Sequence, residues 1–138
     1  MERKQRVGRL VEHAKSDAYR GEIGDANVAQ PGGSPECGGS VTIYLKGEGE
    51  SIEALSFTGE GDTISMGSAS ILMQRVHDEG LDMQQVLDLD YEAFVEEIGR
   101  EVVGSRTRNA TLALSALKNA IKRYRREANA SVFGAVCS

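Results

Sequence analysis

The sequence predicts an α+β domain in which a small antiparallel β-sheet packs against several helices. Two short segments between residues 41 and 58 alternate apolar and polar residues, as half-buried strands do, and a glycine-containing turn separates them. Helix-period patterns occur before this pair and again after it, an order typical of the α+β class. The chain has 138 residues, so we expect one domain over residues 1–127 and a flexible C-terminal tail over residues 128–138.

The first element is predicted to be a helix over residues 5–18. Val7, Leu10, Val11 and Ala14 follow the i, i+3, i+4, i+7 spacing of an amphipathic helix. The segment after it, residues 21–35, is rich in glycine and also contains proline, asparagine and aspartate, so we expect an irregular loop there.

The sheet is predicted from a hairpin. The first strand covers residues 41–46, and the returning strand covers residues 52–58 with Leu55 and Phe57 on its apolar face. Because two strands alone are marginally stable, we expect a third strand, either from the start of the loop or from residues 34–39.

The second half of the chain is predicted to be helical. A helix should begin near residues 62–65, which offer good N-caps, and end before Gly80. Two short helices and one long helix should follow, over residues 81–87, 91–98 and 105–127.

Composition narrows the function classes. The formal net charge of −5 gives no reason to expect nucleic-acid binding, and no apolar run reaches the roughly 20 residues that a membrane span needs. Two cysteines make no disulfide framework, and no secretory signal is recognisable at the N-terminus. We therefore expect a cytoplasmic protein.

The predicted hairpin brings a thiol close to a helix start. Cys37 precedes the first strand, and the glycine-rich residues 59–62 follow the second, so the two points lie close together in an antiparallel pair. We expect the functional region here.

Three segments carry a resemblance to a known family. They are Pro35-Glu-Cys-Gly38 before a strand, the pattern F-x-G-x-G-D-x-I-S-x-x-S-A-S over residues 57–70, and R-x-x-N-A-T-L-A over residues 106–113. Over residues 5–127 the chain resembles the U-type iron–sulfur cluster scaffolds (IscU, SufU and the N-terminal domain of NifU). The resemblance implies the SufE/NifU (IscU-like) fold and a non-enzymatic role in iron–sulfur cluster assembly or sulfur transfer.

The ligand positions of that family are mostly replaced here. The family pattern has three cysteine ligands and an aspartate, and the resemblance places them at Cys37, Asp62, Asn109 and Gly39. Only Cys37 is still a thiol. The carboxylate of Asp62 is a harder ligand than a thiolate, Asn109 is a weak donor and Gly39 has no side chain. Iron–sulfur clusters and structural zinc both prefer thiolates, so we expect no firmly held cofactor.

Cys37 can still act alone. A single thiolate can accept sulfur from the persulfide of a cysteine desulfurase, which makes Cys37 a candidate sulfur acceptor. Arg106 matches the family pattern, and Arg108 stands where relatives carry histidine or a basic residue. If both arginines project into the pocket they would favour the thiolate, whereas Asp62 would oppose them.

Two further hypotheses stay open. The chain is either an interaction or regulatory module that keeps only the scaffold's docking surface, or a scaffold that weakly holds a cluster, iron or zinc. The latter would use Cys37, Asp62 and a further thiol such as Cys137, the penultimate residue. In each case the expected partner is a cysteine desulfurase or another iron–sulfur assembly protein, with no nucleic acid and no membrane.

Overall fold

The computed structural model describes residues 2–34, 36 and 38–137, with side chains described as far as residue 128. The first helix, α1, covers Arg3–Lys15 and begins with a capping box between Glu2 and Gln5. It ends three residues earlier than predicted, because the cap at Ser16 has an extended backbone.

The sheet has three antiparallel strands in the order β1-β2-β3. They cover Val28–Ser34, Gly39–Glu48 and Ser51–Gly61. Val41, Ile43 and Leu45 of β2, and Leu55 and Phe57 of β3, are buried, which confirms the predicted inward face.

The predicted loop over residues 21–35 is wrong in its second half, because residues 28–34 pair with β2 as strand β1. The third strand therefore comes neither from the start of the loop nor from residues 34–39. The pairing is possible despite Pro31 because β1 is an edge strand, where a missing backbone donor is tolerated. Just before residues 21–35, Arg20 forms an isolated parallel β-bridge to Phe57 of β3, the opposite edge strand of the sheet.

Strand β3 continues beyond its predicted end at residue 58, into the glycine-rich residues. Residues 59–61 belong to β3 and pair with residues 39–41 of β2. Asp62 then caps helix α2, Thr63–Glu79, directly, and Gly80 ends that helix in the left-handed conformation, as predicted.

Four short helices follow α2. The first two confirm the prediction: Asp82 and Asp90 accept hydrogen bonds at the start of each. Their ranges, and those of the two that precede the last helix, are α3 Met83–Leu87, α4 Tyr91–Ile98, α5 Arg100–Val103 and α6 Thr107–Ala110.

The long helix α7 covers Leu112–Cys137, so both of its predicted ends are wrong. It begins later because residues 107–110 form the separate helix α6, with Thr111 as its C-cap. It continues past residue 127 because no proline interrupts residues 128–137. That residues 128–138 are flexible stays a prediction.

The core lies between the sheet and the two longest helices. Helix α7 packs on β1 and β2, α2 packs on β3 and α7, and α1 covers the outer side of α2. The contact between α1 and α2 is close: a β-carbon at Gly67 would lie 2.5 Å from the backbone oxygen of Leu10. This arrangement places the start of β2, the start of α2 and helix α6 at one end of the domain.

Candidate functional site

The candidate site lies where β2 begins and β3 ends. Gly39 is paired with Gly61, and the backbone N–H of Asp62 donates to the carbonyl of Gly38 at 3.2 Å. The stretch just after Cys37 therefore lies against the start of α2, as the hairpin argument predicted.

Glycines make this close approach possible. A β-carbon on Gly61 would lie 2.7 Å from the Cα of Gly39 and 2.8 Å from the oxygen of Gly38. Gly38 has a φ of +96°, a backbone conformation that residues other than glycine rarely adopt. A β-carbon on Gly39 would meet the buried hydroxyl of Ser65 at 2.8 Å, so this packing leaves no room for an aspartate at position 39.

Asp62 is held from three directions. Its Oδ1 accepts a hydrogen bond from the backbone N–H of Ser65 at 2.8 Å, which caps α2. Its Oδ2 accepts from Nη1 of Arg106 at 2.8 Å and from Nδ2 of Asn109 at 3.3 Å. The Asp62 side chain is 27% exposed and that of Arg106 is 59% exposed, so the ion pair lies at the solvent-exposed edge of the site.

Asn109 joins α6 to the first turn of α2. Besides its bond to Asp62, Nδ2 donates to the hydroxyl of Ser65 at 3.2 Å. A β-carbon on Gly38 would lie 2.8 Å from the same nitrogen. Asp62, Asn109 and the backbone at Gly38 and Gly39 therefore converge on one pocket, which we call the Asp62 pocket.

The Asp62 pocket does not fit zinc or an iron–sulfur cluster. Both groups prefer thiolate ligands, and positions 62 and 109 carry a carboxylate and an amide instead. Both oxygens of Asp62 already accept hydrogen bonds, one of them from a cation. Across the described part of the chain, no three histidine, cysteine, aspartate or glutamate side chains group as a metal site would require.

Arg108 lies on a different side from Arg106. It is exposed, and no hydrogen bond or ion pair joins it to the described residues. It lines a cavity of about 460 Å³ together with Gly39, Asn109, Tyr91, Thr111 and Leu112. We call this the Arg108 cavity. Arg106 is bound to Asp62, whereas Arg108 lines the cavity that also contains Asn109. That both arginines project into a pocket with Cys37 stays a prediction.

A second, polar cavity has Asp62 in its lining. It has a volume of about 350 Å³, and its lining also includes Lys15, Arg20, Glu60 and Thr63. Asn109 and Gly39 line the Arg108 cavity instead.

Two predicted site residues lie outside this description. Cys37 is not among the described residues, and for Cys137 only the helical backbone is described, not the side chain. Their roles as sulfur acceptor, ligand or second thiol stay predictions. The described neighbours of Cys37 in the sequence, Gly38 and Gly39, do lie at the Asp62 pocket.

The sequence places Ser65 in the motif over residues 57–70 and near the start of α2, but predicts no contact for it. In the structure its hydroxyl accepts a hydrogen bond from Asn109 and its backbone N–H donates to Asp62. The signal was available locally, because the third residue after an aspartate N-cap is where the capped N–H is found.

Comparisons with known proteins identify the family of this chain. The NifU-like N terminal domain family matches residues 5–131. The iron–sulfur cluster assembly scaffold protein IscU of Thermotoga maritima is 32% identical over 110 residues, which are 80% of this chain and 75% of that protein. The zinc-dependent sulfurtransferase SufU of Bacillus subtilis is 31% identical over 80 residues, or 58% of this chain and 52% of that one.

Solved structures show the same fold. A putative iron–sulfur cluster assembly scaffold protein for the SUF system from Fervidobacterium islandicum aligns with a TM-score of 0.64 at 21% identity, covering 82% of this chain and 93% of the other. The N-terminal part of a NifU-like protein from Brucella abortus aligns with a TM-score of 0.64 at 16% identity, covering 86% and 92%.

The fold and the motif positions define an α+β protein of the U-type scaffold class. The chain belongs to the NifU-like N-terminal domain family, whose curated relatives include scaffolds for iron–sulfur cluster assembly and one sulfurtransferase. This confirms the family and the fold that the three motif segments indicated. In the described part of the chain, none of the helices is both long and apolar enough to cross a bilayer.

Proposed function

We propose that this protein acts in iron–sulfur cluster assembly by accepting or presenting sulfur at Cys37, without being an enzyme itself. The observation that carries the proposal is the convergence of Asp62 and Asn109 on the chain just after Cys37. Positions 39, 62 and 109, which the resemblance assigns to family ligands, lie close together, and this supports the proposal. The sequence offers a thiol at only one of the family's ligand positions, Cys37.

The chemistry needs one thiolate and a persulfide donor. The Cys37 thiolate attacks the outer sulfur of a persulfide on the partner, a new sulfur–sulfur bond forms at Cys37, and the partner's own sulfur–sulfur bond breaks. The electron pair of the broken bond stays with the partner's cysteine, which leaves as a thiolate. No external oxidant or reductant is needed, because one persulfide is exchanged for another.

In this scheme we assign to Arg108 the role of favouring the thiolate. The charge of Arg106 is matched by Asp62 at 2.8 Å, whereas Arg108 has no ion pair with the described residues. Arg108 and Asn109 line one cavity beside Gly39, which supports a role for that cavity in admitting the partner's reactive loop. The proposed partner is a cysteine desulfurase in the cytoplasm.

The test is intact mass spectrometry after incubation with a cysteine desulfurase, its pyridoxal phosphate and cysteine. We expect the chain to gain one sulfur that a thiol reductant removes. Cys37→Ser should abolish the gain, and Cys137→Ser, the matched control, should retain it. A wild-type chain that gains no sulfur would overturn the proposal.

A second candidate is an interaction module that keeps the docking surface but not the chemistry. The loss of thiols at positions 62 and 109 favours it. It predicts that the chain binds the desulfurase while Cys37 gains no sulfur, which the same mass experiment, paired with a binding measurement, separates from the first proposal.

A further inference from the structure

We propose that the guanidinium of Arg106 takes the place of a metal ion in the Asp62 pocket, so that this pocket is held together without metal. The inference concerns how the pocket is built and stands whether or not Cys37 accepts sulfur. It differs from what the name of the zinc-dependent sulfurtransferase SufU indicates for that relative.

Both carboxylate oxygens of Asp62 already accept hydrogen bonds. Oδ1 of Asp62 accepts from the backbone N–H of Ser65 at 2.8 Å, and Oδ2 accepts from Arg106 at 2.8 Å. A divalent cation at Oδ2 would have to displace a cation that is already there. The replacement would also cost the hydrogen bond from Asn109 at 3.3 Å.

The amide of Asn109 is a second reason why a metal ion does not fit the Asp62 pocket. An amide nitrogen has two N–H groups, and the two hydrogen bonds of Nδ2, to Asp62 and to Ser65, use both. A neutral amide coordinates a metal through its oxygen, not its nitrogen. Here the nitrogen faces Asp62 and Ser65, so a hydrogen-bond donor lies next to the carboxylate where the family pattern has a thiolate.

Together these bonds make the connections that a shared metal ion would make. Arg106, the N-cap of α6, and Asn109, within α6, are both bound to Asp62 at the start of α2. Asp62 is in turn bound to Gly38 through its backbone N–H at 3.2 Å. The three segments that meet at the pocket are thus already joined by side chains and backbone of the chain itself.

The charges balance within the pair. One carboxylate faces one guanidinium, and the 59% exposure of the Arg106 side chain keeps the cation partly hydrated. An exposed pair of this kind contributes little energy, so we expect its effect on unfolding to be small but measurable.

The first experiment measures the metal content of the full wild-type chain and its thermal unfolding. Unfolding is monitored by circular dichroism in three conditions: without additions, with a chelator and with added zinc. We expect well under one equivalent of zinc or iron and the same Tm in all three conditions. A stoichiometric metal whose removal lowers the Tm would overturn the proposal.

The matched variant restores the thiols. Asp62→Cys combined with Asn109→Cys gives, with Cys37, three thiols at the family's ligand positions. We expect this variant to bind about one zinc per chain, and we expect its Tm to fall when a chelator removes the zinc. A folded double variant that still binds no zinc would contradict the idea that these two replacements displaced the metal. If the double variant does not fold, the wild-type measurement still decides.

The second experiment tests Arg106 itself, with Arg108→Ala on the same short helix as the control. Arg106→Ala should lower the Tm by about 1–4 °C, as expected for the loss of one exposed ion pair in a domain of this size. Arg106→Lys should recover part of the loss, since it keeps the charge but not the planar fork. Equal Tm values for Arg106→Ala and Arg108→Ala would overturn the structural role of Arg106.

Discussion

Arg106 and Asp62, 44 residues apart in the sequence, form an ion pair at 2.8 Å where the family pattern has a cysteine at position 62. The same carboxylate caps helix α2. One aspartate thus does two things that a cysteine at this position does not do equally well: it satisfies a helix N-terminus and it pairs with a cation. Both can be tested separately.

Asp62→Ala should destabilise the fold, because α2 loses its N-cap and Arg106 loses its partner. We expect a loss of about 1–2 kcal/mol in the free energy of unfolding, measured by urea titration. Asp62→Asn should lose less, since asparagine is also a good cap. Asp90→Ala, at the cap of α4, is the control for removing a cap far from the pocket. An unchanged midpoint for Asp62→Ala would contradict the capping role.

Gly39→Ala should destabilise the start of β2, because the new β-carbon would lie 2.8 Å from the hydroxyl of Ser65. Overpacking of this kind typically costs about 1–3 kcal/mol. Gly8→Ala is the matched control. Gly8 is in helix α1, and a β-carbon there would have no neighbouring atom within 4 Å. Alanine at position 8 should therefore stabilise the chain by about 0.5–1 kcal/mol. A Gly39→Ala variant as stable as wild type would show that Ser65 moves aside at no cost.

Arg108→Glu should slow sulfur transfer to Cys37 without lowering the Tm. Arg108 makes no ion pair with the described residues, so reversing its charge breaks none of their ion pairs, but it changes the charge of the Arg108 cavity. The initial rate of sulfur gain by mass spectrometry is the measurement. Arg123→Glu, on α7 outside that cavity, controls for the change in net charge. Equal rates for the two variants would remove Arg108 from the mechanism.

His13 should make stability depend on pH. Its Nδ1 lies 2.8 Å from the Ser70 hydroxyl, and burial, followed by the nearby charge of Arg9, lowers the pKa of His13 below its usual value near 6.5. The unfolded chain therefore binds the proton more readily. The stabilisation is complete above the unfolded pKa and is lost as pH falls from there towards the folded pKa.

The measurement is the urea midpoint of wild type and His13→Gln between pH 7.5 and about 5. We expect the wild type to lose stability faster than the variant as pH falls through about 6.5. Parallel curves would show that His13 does not contribute to the pH dependence.

Local signals explain why much of the fold followed from the sequence. Helix α2 was predicted at both ends because an aspartate N-cap and a left-handed Gly80 are read within one turn of the chain. Strand β1 was missed because Pro31 and the neighbouring glycines indicate a loop locally. Its strand conformation depends on pairing with β2 and on the close approach of α7, where a β-carbon on Gly32 would lie 2.9 Å from that of Ala116.

The candidate site was predictable in its positions but not in its contacts. The family resemblance implied that Asp62 and Asn109 occupy ligand positions of one site, and Nδ2 of Asn109 does donate to Oδ2 of Asp62. That Arg106 would turn to Asp62 while Arg108 lines a separate cavity could not be read from the sequence, because it depends on the short helix α6 and on the orientation of two side chains two residues apart.

The central claim is that this family member uses one thiol in a pocket that needs no metal. The most direct measurement is the intact mass of the full chain after incubation with a cysteine desulfurase and cysteine, with and without a metal chelator. We predict one added sulfur on Cys37 in both conditions. No added sulfur, or a gain that appears only when metal is present, would contradict the account.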